Sequence, residues 1–139
     1  EQFDQAGSFA EGLAAVCIDK KWFFIDKTGQ RAFPGDWEGA YRFDEGLAPV
    51  LVKGKWGYID KQGQMVIPAV FDSTYGFAEG LALVVKDKKA GYIDKSGKIV
   101  IDCKFDKGKS FQNGLANVMV GDAWGYIDKT GAFVWQPSK

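Results

Sequence analysis

Phe43-Asp44-Glu45-Gly46-Leu47-Ala48-Pro49-Val50, followed by Trp56-Gly57-Tyr58-Ile59-Asp60-Lys61-Gln62-Gly63, is the stretch whose reading decides the fold. Its first phrase, Phe-x-x-Gly-Leu-Ala-x-Val, begins at Phe9, Phe43, Phe77 and Phe111, each start 34 residues after the last. The second phrase keeps step, beginning at Trp22, Trp56, Ala90 and Trp124 and running each time to Asp-Lys-x-Gly. Two phrases recurring at one interval without insertions mark a repeat protein, in which each copy covers a hydrophobic face of its neighbour. The copies run approximately over residues 1–34, 35–68, 69–102 and 103–139, and together form a single repeat domain.

A period of this length also suits paired helices, but glycines, β-branched residues and turn signals interrupt the chain too often for helical spacing. Leu13 to Ile18 and Trp22 to Ile25 read as the arms of a hairpin around Asp19-Lys20-Lys21. The Asp-Lys-x-Gly tetrad reads as a tight turn. Asp stands first, where its carboxylate accepts backbone N–H groups, and Gly last, where a positive φ is cheap. A short apolar strand then ends at Phe33, Ile67, Ile101 or Trp135. A looser linker leads into the next copy. The expectation is an all-β chain of four three-stranded antiparallel meanders. One such meander buries too little to stand alone, so the copies must pack on one another. Closure into a propeller-like toroid is favoured over an open β-solenoid. Gly12, Ala14 and their counterparts keep one column small, and neither end copy shows a polar outer face.

Phe-x-Glu-Gly-Leu-Ala followed by Lys55-Trp56-Gly57-Tyr58-Ile59-Asp60-Lys61 resembles the bacterial WG, or KWG, repeat family over essentially the whole chain. Phe23 stands where that family has Gly, and Ala90 where it has Trp. The resemblance implies tandem β modules and brings no catalytic residues with it. The Lys21-to-Gly29 segment is also similar to the hairpins of choline-binding cell-wall repeats, although those are shorter and lack the Phe-x-x-Gly-Leu-Ala phrase.

Composition narrows the chemistry. The chain carries 18 basic and 18 acidic residues and no histidine. A cancelled charge removes the general argument for nucleic acid or an anionic membrane as partner. Without histidine, Ser–His–Asp and Cys–His nucleophiles and His-ligated metals are excluded. No apolar run reaches the length of a membrane span. Cys17 and Cys103 lie in different columns, and neither a metal nor another cofactor is expected.

The aromatic fraction, 15% of the chain, is what remains to do work. Phe9, Phe43, Phe77 and Phe111, with Leu13, Val16, Ile25 and their counterparts, are expected in the core. Asp26, Asp60, Asp94 and Asp128 read as turn caps rather than a cation ring, and Lys27, Lys61, Lys95 and Lys129 as solvated turn tips. Glu11, Glu45 and Glu79 read as a periodic surface column. Candidate ligand-binding residues are Trp22, Trp56 and Trp124, whose rings suit either packing between copies or stacking on a ligand. Trp37, Tyr41 and Tyr75 join them from the variable linkers, where Lys109 replaces the aromatic in the last copy. The function expected is a non-enzymatic binding scaffold for protein or peptide partners. A glycan or cell-wall binder through Trp and Tyr is the alternative, and a spacer in a longer array the third.

Overall fold

In each copy, the residues after the first phenylalanine make a two-residue turn. Ala10 and Leu13 exchange both backbone hydrogen bonds, at 2.8 and 3.1 Å, around Glu11 and Gly12 with φ of 54° and 85°. Two successive left-handed residues give a turn whose twist matches that of the flanking strands, and glycine at the second position takes it without strain. Equivalent left-handed pairs occur at Glu45–Gly46, Glu79–Gly80 and Asn113–Gly114.

A computed structural model describes residues 5–135 apart from Ser8. The described residues are all-β, with fifteen strands in four antiparallel sheets. The first copy supplies β1 (Gln5–Ala6), β2 (Ala14–Ile18) and β3 (Lys21–Ile25). The second supplies β4 (Gly39–Ala40), β5 (Ala48–Val52), β6 (Lys55–Ile59) and β7 (Met65–Phe71). The third supplies β8 (Ser73–Ala78), β9 (Leu81–Lys86), β10 (Lys89–Ile93) and β11 (Ile99–Phe105). The fourth supplies β12 (Lys107–Gly108), β13 (Ala116–Val120), β14 (Ala123–Ile127) and β15 (Phe133–Trp135). Three of the four sheets therefore have four strands where three were expected. The extra strand comes from the linker, which pairs through Gly39 with Leu51, Ser73 with Val85 and Lys107 with Met119.

The Asp-Lys-x-Gly turns form as read. Asp26 Oδ1 accepts the Thr28 N–H at 2.9 Å, Gly29 donates to the Asp26 carbonyl at 3.0 Å, and Gly29 has φ 88°. The Thr28 hydroxyl bond comes first among the causes that hold the Asp26 carboxyl below its ordinary range, and Ser96 and Thr130 do the same for Asp94 and Asp128.

The chain divides into two compact units, Glu1–Val70 and Phe71–Lys139. In the first, Leu13, Ala15 and Phe24 of copy one pack on Phe43, Ala48, Val50 and Ile59 of copy two. In the second, Leu81, Leu83 and Tyr92 of copy three pack on Phe111, Ala116, Val118 and Ile127 of copy four. The contact at the centre is the same in both: Phe24 meets Phe43, and Tyr92 meets Phe111, edge-to-face at 4.9 Å. The Val16 and Ile25 columns are buried throughout.

Two expected core residues are not buried. Phe9 is 47% exposed, whereas Phe43 is 0% and Phe77 and Phe111 are 3%. The ring that covers Phe43 is Phe24, nineteen residues before it in the preceding copy. Leu115 and Tyr126 are likewise exposed in copy four, at 37% and 39%. The fourth copy also departs from an interior one in polarity. Asn117 takes the place of Ala15 and Leu83 and donates its side-chain amide to the Gly125 carbonyl at 2.9 Å.

The glutamate column is a joint between copies, not a surface ornament. Glu11 Oε1 accepts the Gly46 N–H at 3.0 Å and lies 3.3 Å from Lys61 Nζ. Glu79 accepts the Asn113 and Gly114 N–H groups at 2.6 and 2.8 Å and lies 3.6 Å from Lys129 Nζ. Lys129 Nζ also donates to the Glu79 carbonyl at 2.8 Å. In both joints a carboxylate of one copy caps the left-handed turn and the turn lysine of the next. The Gly114 amide is the largest cause holding the Glu79 carboxyl below its ordinary range. For Glu11 burial pushes upward, and the Gly46 amide and Lys61 together outweigh it.

Candidate functional site

The first copy lacks the last strand of the others, and one side chain accounts for it. A Cβ on Gly57 would stand 2.5 Å from the Ile67 carbonyl oxygen, and one on Gly91 2.6 Å from that of Ile101. The closing strand thus lies directly over glycine, and the register of β10 with β11 shifts between Ala90 and Tyr92 to allow it. Phe23 fills the same position in copy one, so no strand can lie there. Among the described residues the chain bridges β3 at Ile25 with Arg31, where the Ala32 N–H donates to the Phe24 carbonyl at 3.0 Å, and at Trp22 with Trp37, and bows away without a ladder between.

The bow leaves a cleft of about 930 Å³. Its apolar surface comes from Ile18, Phe23 and Ile25, and its polar rim includes Asp19, Lys21, Arg31 and Asp36. Arg31 organises one wall. Its guanidinium carbon sits 3.8 Å from the centroid of the Phe23 ring, with one nitrogen 3.2 Å from Asp36 Oδ1 and another 3.3 Å from the Gly35 carbonyl. A cation held flat on an aromatic face, with opposite charges beside it, presents polar and apolar contacts together. The departure at Phe23 was visible in the sequence. Arg31 was not singled out, although it follows the Asp-Lys-x-Gly turn at the position where copies two to four place apolar Met65, Ile99 and Phe133.

The six aromatic candidates do not form one patch. Trp22 and Trp37 are partly buried against the core of the first unit, where Trp37 meets Phe24 and Phe33 edge-on. Trp56 lies parallel beneath Tyr41, with ring centroids 4.8 Å apart and planes 6° from parallel, while Tyr41 remains 54% exposed. Tyr75 takes the same column in copy three and is also exposed, but Ala90 leaves no tryptophan at that place. In copy four Lys109 replaces the tyrosine and holds its ammonium 5.5 Å from the Trp124 ring centroid. Trp22, Trp37, Trp56 and Trp124 are thus partly covered, and the exposed side chains beside them include Tyr41, Tyr75 and Lys109.

Every carboxyl group with a resolved shift among the described residues is held low: Glu11, Asp26, Glu79, Asp94, Asp106 and Asp128. Such groups stay ionised and make caps and ion pairs. Tyr92 goes the other way. Burial lifts its hydroxyl far above the ordinary phenol range while it donates to the Lys109 carbonyl at 2.5 Å. Cys17 and Cys103 are both free thiols, and burial pushes that of Cys103 up. Among the described residues no group of three or more His, Cys, Asp or Glu side chains is placed to hold a metal ion.

Among solved structures, the chain is similar to one described as KlHsv2 with loop 6CD replaced by a Gly-Ser linker. The TM-score is 0.56 at 11% identity, over 91% of this chain and 48% of that one. It is also similar to PorZ, described as an essential bacterial surface component of the type-IX secretion system of Porphyromonas gingivalis. There the TM-score is 0.58 at 8% identity, over 96% of this chain and 20% of that one. The chain thus spans about half of the first and a fifth of the second, and at these identities the likeness is one of fold. No curated protein matches it. The family described as WG containing repeat matches residues 2–22, 22–56, 56–89 and 91–122, one match for each copy. Those matches take in every copy of the first phrase and three of the second and cover most of the chain, so this protein belongs to the WG-repeat family.

Proposed function

We propose that the chain is a non-enzymatic binding scaffold for protein or peptide partners, and that the cleft of the first copy is where a partner docks. One observation carries this: a single exchange, Phe23 for glycine, removes a strand from one copy and opens an apolar surface rimmed by Lys21, Arg31, Asp19 and Asp36. Apolar residues flanked by opposite charges on an extended peptide would match that rim.

The test is selection of peptides from a random display library against the immobilised chain. Enriched peptides should lose at least about tenfold in affinity to the Arg31→Glu variant, with the melting temperature within a few degrees of the parent. Enriched peptides that bind the variant unchanged would place the partner elsewhere.

A glycan reading has one observation in its favour, the exposed Tyr41 ring stacked on Trp56, since such platforms suit sugar rings. On a glycan array, Tyr41→Ala should then remove binding without a large change in stability. Closure of the four copies into a toroid is proposed from the small Gly–Leu–Ala column. Distance measurements between labelled ends would test it: short distances support a ring and long ones a solenoid.

A further inference from the structure

Copy three departs from the others at its hairpin tip. Lys86 of β9 stands directly across from Lys89 of β10, where the matching pairs are Ile18 with Lys21, Val52 with Lys55 and Val120 with Ala123. Like charges opposed on neighbouring strands repel, so this pair costs stability. The turn between them adds a second cost. Asp87 and Lys88 take φ of 53° and 68°, left-handed values that copy two meets with Gly54 at its second turn position. Copy one shares that strain at Asp19 and Lys20 but has no lysine across from Lys21. The Asp72 carboxylate accepts the Asp87 N–H at 2.9 Å and holds the strained tip in place.

Two more lysines lie beside the tip. Lys89 is ion-paired with Asp106, which draws the tip against the end of β11 and the start of β12, where Lys104 and Lys107 stand on either side of that aspartate. Lys86, Lys88, Lys104 and Lys107 are all exposed, and among the described residues none of them makes an ion pair. One repeat period earlier the same four places hold Val52, Gly54, Val70 and Ser73. The span from Lys86 to Lys109 carries eight lysines against four aspartates, in a chain whose total charge is zero.

We propose that Lys86, Lys88, Lys104 and Lys107 form a docking surface for an acidic segment of a partner protein. Opposite charge steers such a segment to the tip and sets its register there. The exposed Asp87 and Asp102 interrupt the lysines. A nucleic acid, with a charge on every unit, is repelled at those points, whereas a peptide can space its carboxylates to miss them. The surface lies within Phe71–Lys139 and the Phe23 cleft within Glu1–Val70, so this inference and the proposed function fail separately.

Fluorescence anisotropy with a labelled peptide of alternating glutamate and serine tests it on the full chain. Affinity should fall at least about tenfold in the Lys86→Ser, Lys88→Ser double variant and in the Lys104→Ser, Lys107→Ser double variant, and stay unchanged in Arg31→Glu. An oligodeoxythymidine of equal charge and phosphatidylserine vesicles should bind more weakly than the peptide. Lys86→Ser alone should raise the melting temperature, because the like-charge pair is gone. Lys88→Gly and Lys20→Gly should both raise it by relieving left-handed strain, but only Lys88→Gly should weaken binding. Failure of the peptide to bind, undiminished affinity in the lysine double variants, tighter binding of the oligonucleotide or the vesicles, or a lower melting temperature in Lys86→Ser would each overturn the assignment.

Discussion

Phe43 and Phe9 occupy one column of the repeat, and truncating them should have unequal consequences. Phe43→Ala removes a fully buried ring that meets Phe24 at 4.9 Å, and is expected to cost about 3–5 kcal/mol. Phe9→Ala removes a half-exposed ring and should cost less than about 1 kcal/mol. Urea unfolding of the two variants measures the difference, and equal losses would show that Phe9 is covered in solution. At this scale the sequence told which residue types recur but not which recurrence was met. Phe9, Phe43, Phe77 and Phe111 are identical in type, and the type does not say which of them a ring of another copy covers, as Phe24 covers Phe43 and Tyr92 covers Phe111. The glutamates were misread for a related reason. A carboxylate that repeats on a surface looks the same as one that bonds to the next copy, because the amides receiving it are backbone and leave no mark in the sequence.

Turns and hairpins were the most legible elements, since their chemistry is local. Asp26 with Gly29, and each counterpart pair, state the turn within four residues. The linker strands at Gly39–Ala40 and Lys107–Gly108 were not legible, being two residues long and held by register with β5 and β13 rather than by any pattern of their own. The closing strands depend on a residue outside themselves. Gly57→Ala places a methyl group 2.5 Å from the Ile67 carbonyl oxygen and 2.7 Å from the Ala69 nitrogen, so β7 must shift. The expected cost is about 2–3 kcal/mol, with loss of amide protection along Met65–Phe71 in hydrogen exchange. Protection retained there would mean that β7 tolerates a side chain beneath it. The cleft of copy one was legible only as an anomaly. Phe23 breaks the family pattern, but the sequence does not say that the exchange displaces a strand.

For the molecule as a whole, the depressed carboxyl groups set the direction of its response to acid. Glu79, bound first by the Gly114 amide, and Asp106, bound first by Lys89, titrate lower folded than unfolded, as do Asp26, Asp94 and Asp128 in their turns. A group whose folded value is lowered contributes stability that is fully present above its unfolded value and lost as pH falls through the folded one. The melting temperature should therefore hold from pH 7 to about 5 and decline from about 4.5 downward. Thermal melts across that window, together with the same melts on Glu79→Gln, check this. The variant should show a shallower decline, and an unchanged slope would mean that Glu79 is not linked to folding.

The joint between copies also bears on how quickly the chain finds its structure. Its hydrogen bonds connect residues 34, 35 and 50 apart in sequence. The loop that must close before a joint forms is therefore set by the repeat period and not by the length of the array. Refolding is limited by the entropy of such closures, so inserting a further copy should leave the main refolding rate within a few-fold of its original value. In stopped-flow refolding, a rate that fell steeply with each added copy would show that distant parts of the chain must meet first.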